Sequence, residues 1–293
     1  MSLRRPRKLL GAHVSAQGGL VKAPARGVEI GADVIQVFTR NQLQWEGRPI
    51  GGDEAAAFRA SMRASGLREA ITHANYLLNL ASPDPVALRR SRVAFLADMQ
   101  RCHELGIRVL VFHPGAHLGS GEAAALRTVA GSLDFAVAEG PGDVDPVLEM
   151  TAGQGTCVGH RFEHVLAVLD AVRNPERIGV CLDTCHVYAA GYDLATDAGY
   201  ADTMATFRRV VGFQRLRAVH LNDARMPRGS RVDRHAAIGK GYLRAATFRR
   251  LMRDPRFDGV PMVLETPSGM AGWKREIARL RRLQDDQRRR GSR

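Results

Sequence analysis

Cysteine, lysine and long apolar runs are scarce in this 293-residue chain, and each scarcity excludes something. The four cysteines, Cys102, Cys157, Cys181 and Cys185, form no Cys-x-x-Cys pair and no framework spacing. A disulfide-stapled scaffold is excluded, and a reducing, cytoplasmic setting is expected. No apolar run approaches the ~20 residues that cross a bilayer. The basic stretch Met1–Lys8 precedes no cleavage-site pattern, so neither a membrane span nor a secretory signal is expected. No Gly-x-Gly-x-x-Gly follows the first apolar segment, which removes the main reason to propose a dinucleotide-binding fold. Only four lysines accompany the arginines that bring the net charge to +13. Nine of those thirteen charges fall in residues 1–8 and 279–293. Two readings stand: attraction to a polyanion such as DNA, or solvated ends in an arginine-rich chain.

Hydrophobic residues make up 45% of the chain and charged residues 25%, enough for a large core in an ordinary soluble protein. Eight short apolar segments recur along it: 9–14, 34–39, 70–74, 109–113, 146–150, 178–183, 218–222 and 262–265. Stretches of helical period separate them, among them 55–65, 85–105, 122–138, 161–172, 201–212 and 271–283. Strands alternating with helices imply βαβ units and a parallel sheet. Eight units in this length fit an α/β fold of the closed (β/α)8 TIM barrel type, a single domain over residues 9–283. Basic tails at 1–8 and 284–293 would flank it. In such a barrel, residues at the C-terminal ends of the strands converge on one mouth, where catalysis sits.

Those strand ends carry metal-ligand chemistry. His73, His113, Glu149, Asp183, His220 and Glu265 close the third through eighth segments, and His186, Asp233 and His235 lie in the turns beyond. Glu149 follows Val147-Leu148 and precedes Met150, so its carboxylate is expected to be buried and must be paired or metal-bound. Asp183 and His186 are three residues apart and can serve neighbouring ions. Asp233 and His235, at i and i+2, share one side of an extended chain. Five imidazoles and four carboxylates exceed the three protein ligands of a single catalytic zinc. Nitrogen-plus-carboxylate ligation favours zinc and also suits manganese or iron. Cys181 and Cys185 flank Asp183 and read either as further ligands or, more simply, as packing.

With these residues in place the chain resembles endonuclease IV, the zinc-dependent apurinic/apyrimidinic endonucleases, over residues 9–283. The segments that carry the resemblance include Gly11-Ala-His-Val-Ser-Ala-Gln-Gly-Gly19, Phe38-Thr-Arg-Asn-Gln42, Thr151-Ala-Gly-Gln-Gly155, Cys181-Leu-Asp-Thr-Cys-His186, His220-Leu-Asn-Asp223 and Gly229-Ser-Arg-Val-Asp-Arg-His235. The resemblance implies three zinc ions. His73, His113 and Glu149 would hold one. Glu149 would bridge to a second, held also by Asp183, His220 and Glu265. His186, Asp233 and His235 would hold the third. Glu149 and Glu265 would be catalytic, fixing the metals and taking up a proton. The implied reaction cuts duplex DNA 5′ to an abasic site, leaving a 3′-hydroxyl and a 5′-deoxyribose phosphate, and the implied enzyme is a monomer.

Tyr76 and Leu77 match the family's minor-groove inserting residues, and wedges of this kind offset unstacking with wider contact. Arg231 and Arg234 read as phosphate clamps or as surface charge. The chain departs from the family at Leu43, where an inserting arginine is expected, leaving Arg40 or Arg48 to supply a cation. It departs again at Met150, where asparagine is expected. The main rival is a metal-dependent sugar isomerase or epimerase of the xylose-isomerase-like barrel class, in which His186, Asp233 and His235 would have no purpose. A non-catalytic DNA-binding barrel is the second rival, and it would not need nine ligands.

Overall fold

The computed structural model describes residues 8–290. Strands β1 (Leu9–His13), β2 (Val34–Val37), β3 (Glu69–His73), β4 (Val109–Phe112), β5 (Asp145–Glu149), β6 (Gly179–Asp183) and β7 (Leu216–His220) follow one another around a closed barrel. A two-residue hairpin, β8 (Asp223–Ala224) with β9 (His235–Ala236), interrupts the series before β10 (Pro261–Leu264) closes it between β7 and β1. Every barrel pairing is parallel. The strands read as continuous apolar runs because both faces are covered.

Strand alternation divides the core in two. Val34, Ile71, Val109, Val111, Val147, Cys181, Ala218 and Val263 fill the barrel interior as one cluster. The alternate residues, such as Leu10, Ile35, Leu110, Phe112, Leu182 and Leu264, pack outward against the helices. Successive side chains of a strand point to opposite faces. The residue two places beyond each interior one therefore also points inward, one level nearer the mouth. That register predicts the position of the functional side chains before any of them is examined.

The helices are α1 (Ala23–Glu29), α2 (Gly52–Ser65), α3 (Pro85–Leu105), α4 (Glu122–Glu139), α5 (Phe162–Ala171), α6 (Thr184–Ala189), α7 (Asp197–Val210), α8 (Arg244–Arg253) and α9 (Gly269–Arg290). The Asp84 carboxylate caps α3 by accepting from the Ala87 N–H at 2.7 Å, and Gly106 ends that helix in the left-handed conformation. Two boundaries differ from those expected. Lys8 is no tail residue: it is buried, its ammonium pairs with Asp258 at 2.5 Å and it also bonds the Asp254 carbonyl. Helix α9 continues past residue 283, so 284–290 extend the last helix. Residues 1–7 and 291–293, the rest of the basic ends, lie outside the described residues. Among the described residues no helix is long and apolar enough to cross a membrane.

Candidate metal centre

The inward register delivers one polar residue per strand at the level above the apolar interior: His13, Gln36, His73, His113, Glu149, Asp183, His220 and Glu265. Glu149 is fully buried at the centre of the group. One of its oxygens lies 3.0 Å from His73 Nε2 and 3.0 Å from His113 Nε2. The other lies 2.8 Å from His220 Nδ1 and 3.3 Å from His186 Nδ1. Burial alone would push this carboxyl up, but the imidazoles, His220 first, outweigh it and hold Glu149 well below the usual range. His220 Nδ1 is also 3.3 Å from Glu265 and 3.9 Å from Asp183.

The remaining three ligand candidates gather beside this group. Asp183 caps α6, accepting from the His186 N–H at 2.8 Å, which sets His186 one turn into a short helix rather than in an open turn. The hairpin pairs Ala224 with His235 and swings His235 back over the mouth. Asp233 Oδ1 then stands 3.2 Å from both His186 Nε2 and His235 Nε2, and Asp183 lies 3.7 Å from the latter. Both of those nitrogens are buried and lack a well-directed hydrogen bond. His186 Nδ1 donates to the Met150 carbonyl at 2.9 Å, which leaves Nε2 as the nitrogen that faces the carboxylates. Met150 thus serves through its backbone, and its buried side chain adds only packing.

These positions fit metal ions. Ligand atoms of His73, His113 and Glu149, and separately of Asp183, His186 and His235, lie within 4.8 Å of one another. Neutral imidazole and carboxylate are what zinc takes, and manganese and iron accept the same set. The charge balance agrees. Burial opposes ionisation of Asp233, yet its bonds to His186 and His235 hold it well below the usual range. Burial also lowers His235, but Asp233, Asp183 and Glu265 together more than offset this and raise it to about 8. His186 is raised well above its ordinary value against burial by Asp183 and Asp233. Protons sit where metal charge is needed, so metal uptake must release them. Cys181 belongs to the barrel interior, although it also neighbours Glu149 and His220, and burial pushes its thiol up to about 12. Cys185 is buried, with Sγ 3.5 Å from the Arg234 carbonyl.

Three partners escaped the sequence reading. Gln36 accepts from His220 Nε2–H at 2.8 Å and donates to Glu265 at 2.7 Å, so one amide fixes the tautomer of one candidate ligand and the pose of another. His13 reaches Glu265 at 3.0 Å. Asn222 donates to Asp183 at 2.6 Å and accepts from the Glu265 N–H at 2.9 Å. The only local signal was a polar residue on the inward face of a strand that is otherwise apolar. Gln36→Leu is expected to weaken zinc binding roughly 10–100-fold while leaving all nine ligands in place; titration against a chromophoric chelator measures it.

Around the mouth, Tyr76 is half exposed and its ring packs 5.3 Å from Phe38 and 5.4 Å from His73. Leu77 is partly buried beside it. Leu43 is 72% exposed on the β2–α2 loop, which Asn75 ties down through the carbonyls of Asn41 and Gln44. Arg40 is not available as a substitute cation, because its guanidinium is buried in a two-bond pairing with Asp98. Arg48 is exposed but lies 2.8 Å from Glu54. Arg231 and Arg234 are both exposed, on the segment leading into β9.

Residues 24–283 match the family model described as a xylose isomerase-like TIM barrel. The chain is 49% identical over 274 residues to the probable endonuclease 4 of Halorhodospira halophila, covering 93% of this chain and 92% of that one. It is 45% identical to the probable endonuclease 4 of Chloroflexus aurantiacus, covering 93% and 97%. The structure superposes on the crystal structure of endonuclease IV from Thermus thermophilus with a TM-score of 0.85 at 32% identity, covering 96% of this chain and all of that one. A D-tagatose 3-epimerase-like protein shares the fold with a TM-score of 0.70 at 16% identity, covering 94% and 99%. Identity and coverage at these levels establish that the chain belongs to the endonuclease IV family, a group of hydrolytic nucleases built on the xylose isomerase-like barrel.

Proposed function

We propose that this enzyme is a DNA-repair endonuclease that hydrolyses the phosphodiester 5′ to an abasic site in duplex DNA, leaving a 3′-hydroxyl and a 5′-deoxyribose phosphate. The observation that carries the reading is the His186–Asp233–His235 triplet, whose two imidazole nitrogens stand 3.2 Å from one carboxylate oxygen beside the Glu149 group. His73, His113 and Glu149 would hold one zinc. Glu149, Asp183, His220 and Glu265 would hold a second, and the triplet a third. When bound, the metals supply Lewis acidity and water of lowered pKa. The residues supply the rest. Glu149 and Glu265, both kept ionised by neighbouring imidazoles, hold negative charge at the barrel axis and can take up a proton. Gln36 keeps the Glu265 carboxylate from rotating, and Asn222 does the same for that of Asp183.

Recognition would rest on shape, since an abasic site offers no base to read. Tyr76, Leu77 and Leu43 form an apolar rim suited to wedging into a minor groove, with Arg231 and Arg234 on the opposite side for phosphates. The catalytic unit would be the barrel with its last helix, residues 8–290, acting as a cytoplasmic monomer. Leu43→Arg is expected to tighten binding to damaged duplex several-fold by adding one minor-groove cation, read by fluorescence anisotropy; unchanged affinity would remove Leu43 from the contact.

The sugar epimerase reading shares the fold but leaves the triplet without work. One side-by-side assay separates the two: zinc-loaded enzyme with a duplex carrying a single stable abasic analogue, and with ketohexoses. Strand cleavage without sugar turnover is the expected result, and the converse would overturn the proposal.

A further inference from the structure

Beside the metal centre lies a second polar cluster that the proposed reaction does not use. Glu122 stands at the start of α4, His160 and Arg161 on the β5–α5 loop, His164 on α5, and Arg231 on the segment before β9. His160 and His164 are 3% and 2% exposed, with rings 4.7 Å apart and nearly perpendicular. Glu122, His160 and His164 bring their ligand atoms within 4.8 Å of one another, the outward look of a metal triad. The arginines contradict that look. His164 Nε2 accepts from Arg161 Nε at 2.9 Å, and His160 Nε2 accepts from Arg231 Nη2 at 3.2 Å. Glu122, 3.7 Å from His160 Nε2, already pairs with Arg161 at 2.7 Å. Two guanidinium groups occupy the place a cation would need.

We infer that His160 is a positioning residue that holds the Arg231 guanidinium in the pose that clamps a DNA phosphate. His160 Nδ1 donates to the Cys157 carbonyl at 3.2 Å, so the buried Nε2 carries a lone pair and can only accept. Burial keeps the ring neutral, lowering it from its ordinary value. Arg231 is exposed, yet its backbone is pinned: φ is 53°, a left-handed conformation unusual for arginine, and its N–H donates to the Ala189 carbonyl at 2.9 Å. This backbone is uncommon for a residue with a side chain and is kept here by its surroundings. One terminal nitrogen of the guanidinium is anchored on His160, and the others remain to meet phosphate oxygens as a fork. Fixing the side chain before DNA arrives removes part of the ordering cost of binding. The same loop also carries Asp233, whose N–H donates to Gln154 at 3.3 Å, so the clamp is set relative to the triplet.

This inference rests on the duplex-DNA reading and is tested by a double-mutant cycle on the zinc-loaded enzyme. The readout is Kd for a duplex with one abasic analogue and a non-hydrolysable 5′ linkage. His160→Ala is expected to raise Kd about three- to tenfold in the unmodified background, the scale of lost preorganisation, and to have no further effect in Arg231→Ala. His160→Gln, which restores an acceptor, should recover most of the loss. Equal weakening by His160→Ala in both backgrounds, failure of glutamine to rescue, or no change at all would overturn the inference alone. No binding of either abasic or intact duplex by the unmodified, zinc-loaded enzyme would overturn the DNA reading, and the clamp with it.

Discussion

Glu149→Gln is expected to lower the rate of strand cleavage by about two to three orders of magnitude, the scale seen when charge stabilisation is removed at a reacting centre. The reason is geometric. Among the described residues no other side chain touches four imidazoles, at 3.0, 3.0, 2.8 and 3.3 Å, and Glu149 alone joins the His73–His113 pair to the His220 and His186 side. Glutamine keeps the volume and one acceptor but removes the negative charge that two metal positions share. Without metal, the same change leaves buried imidazolium charge unpaired, which costs about 3–5 kcal/mol when a buried pair is broken. Metal analysis, thermal melting and single-turnover cleavage on one preparation separate the two effects. Full zinc content with near-normal cleavage would remove Glu149 from the bridging role.

Removing the metals should destabilise the folded protein strongly. A ligand present at about a thousand times its Kd adds about 4 kcal/mol to stability. In a chain of this size that moves the melting midpoint by about 6–7 °C. The gain should depend on pH, with a sign fixed by the histidines. His235, raised from 6.5 to about 8, must lose its proton to bind a metal. The zinc gain is therefore complete above about pH 8 and shrinks as pH falls through that value. Metal-free protein runs the other way. Its imidazolium–carboxylate contribution is fully present below pH 6.5 and lost as pH rises through about 8. The difference between zinc-loaded and stripped melting points should thus widen with pH, and a pH-independent difference would contradict it.

Much of this was legible before any coordinates because one period controls both core and site. Interior residues such as Ile71, Val147 and Ala218 fall two places before His73, Glu149 and His220, so the alternation that builds the barrel also aims the ligands. The structure brings all nine candidate ligands to one mouth. Long-range pairings were not legible. Arg40 looked like a spare cation, but Asp98, 58 residues away, buries it. Lys8 looked like tail charge until Asp258, 250 residues away, claimed it. Helix α6 has six residues, all buried, and so offers no amphipathic stripe to read. Gln36, His13 and His160 act through partners that sequence does not place beside them.

The measurement that tests the account most directly maps the nick made by metal-stripped enzyme, with and without added zinc, on a duplex carrying one stable abasic analogue. The account predicts a zinc-dependent cut immediately 5′ to the analogue, with a 3′-hydroxyl on the upstream fragment. A cut on the 3′ side, or no cut with the metal positions filled, would contradict it.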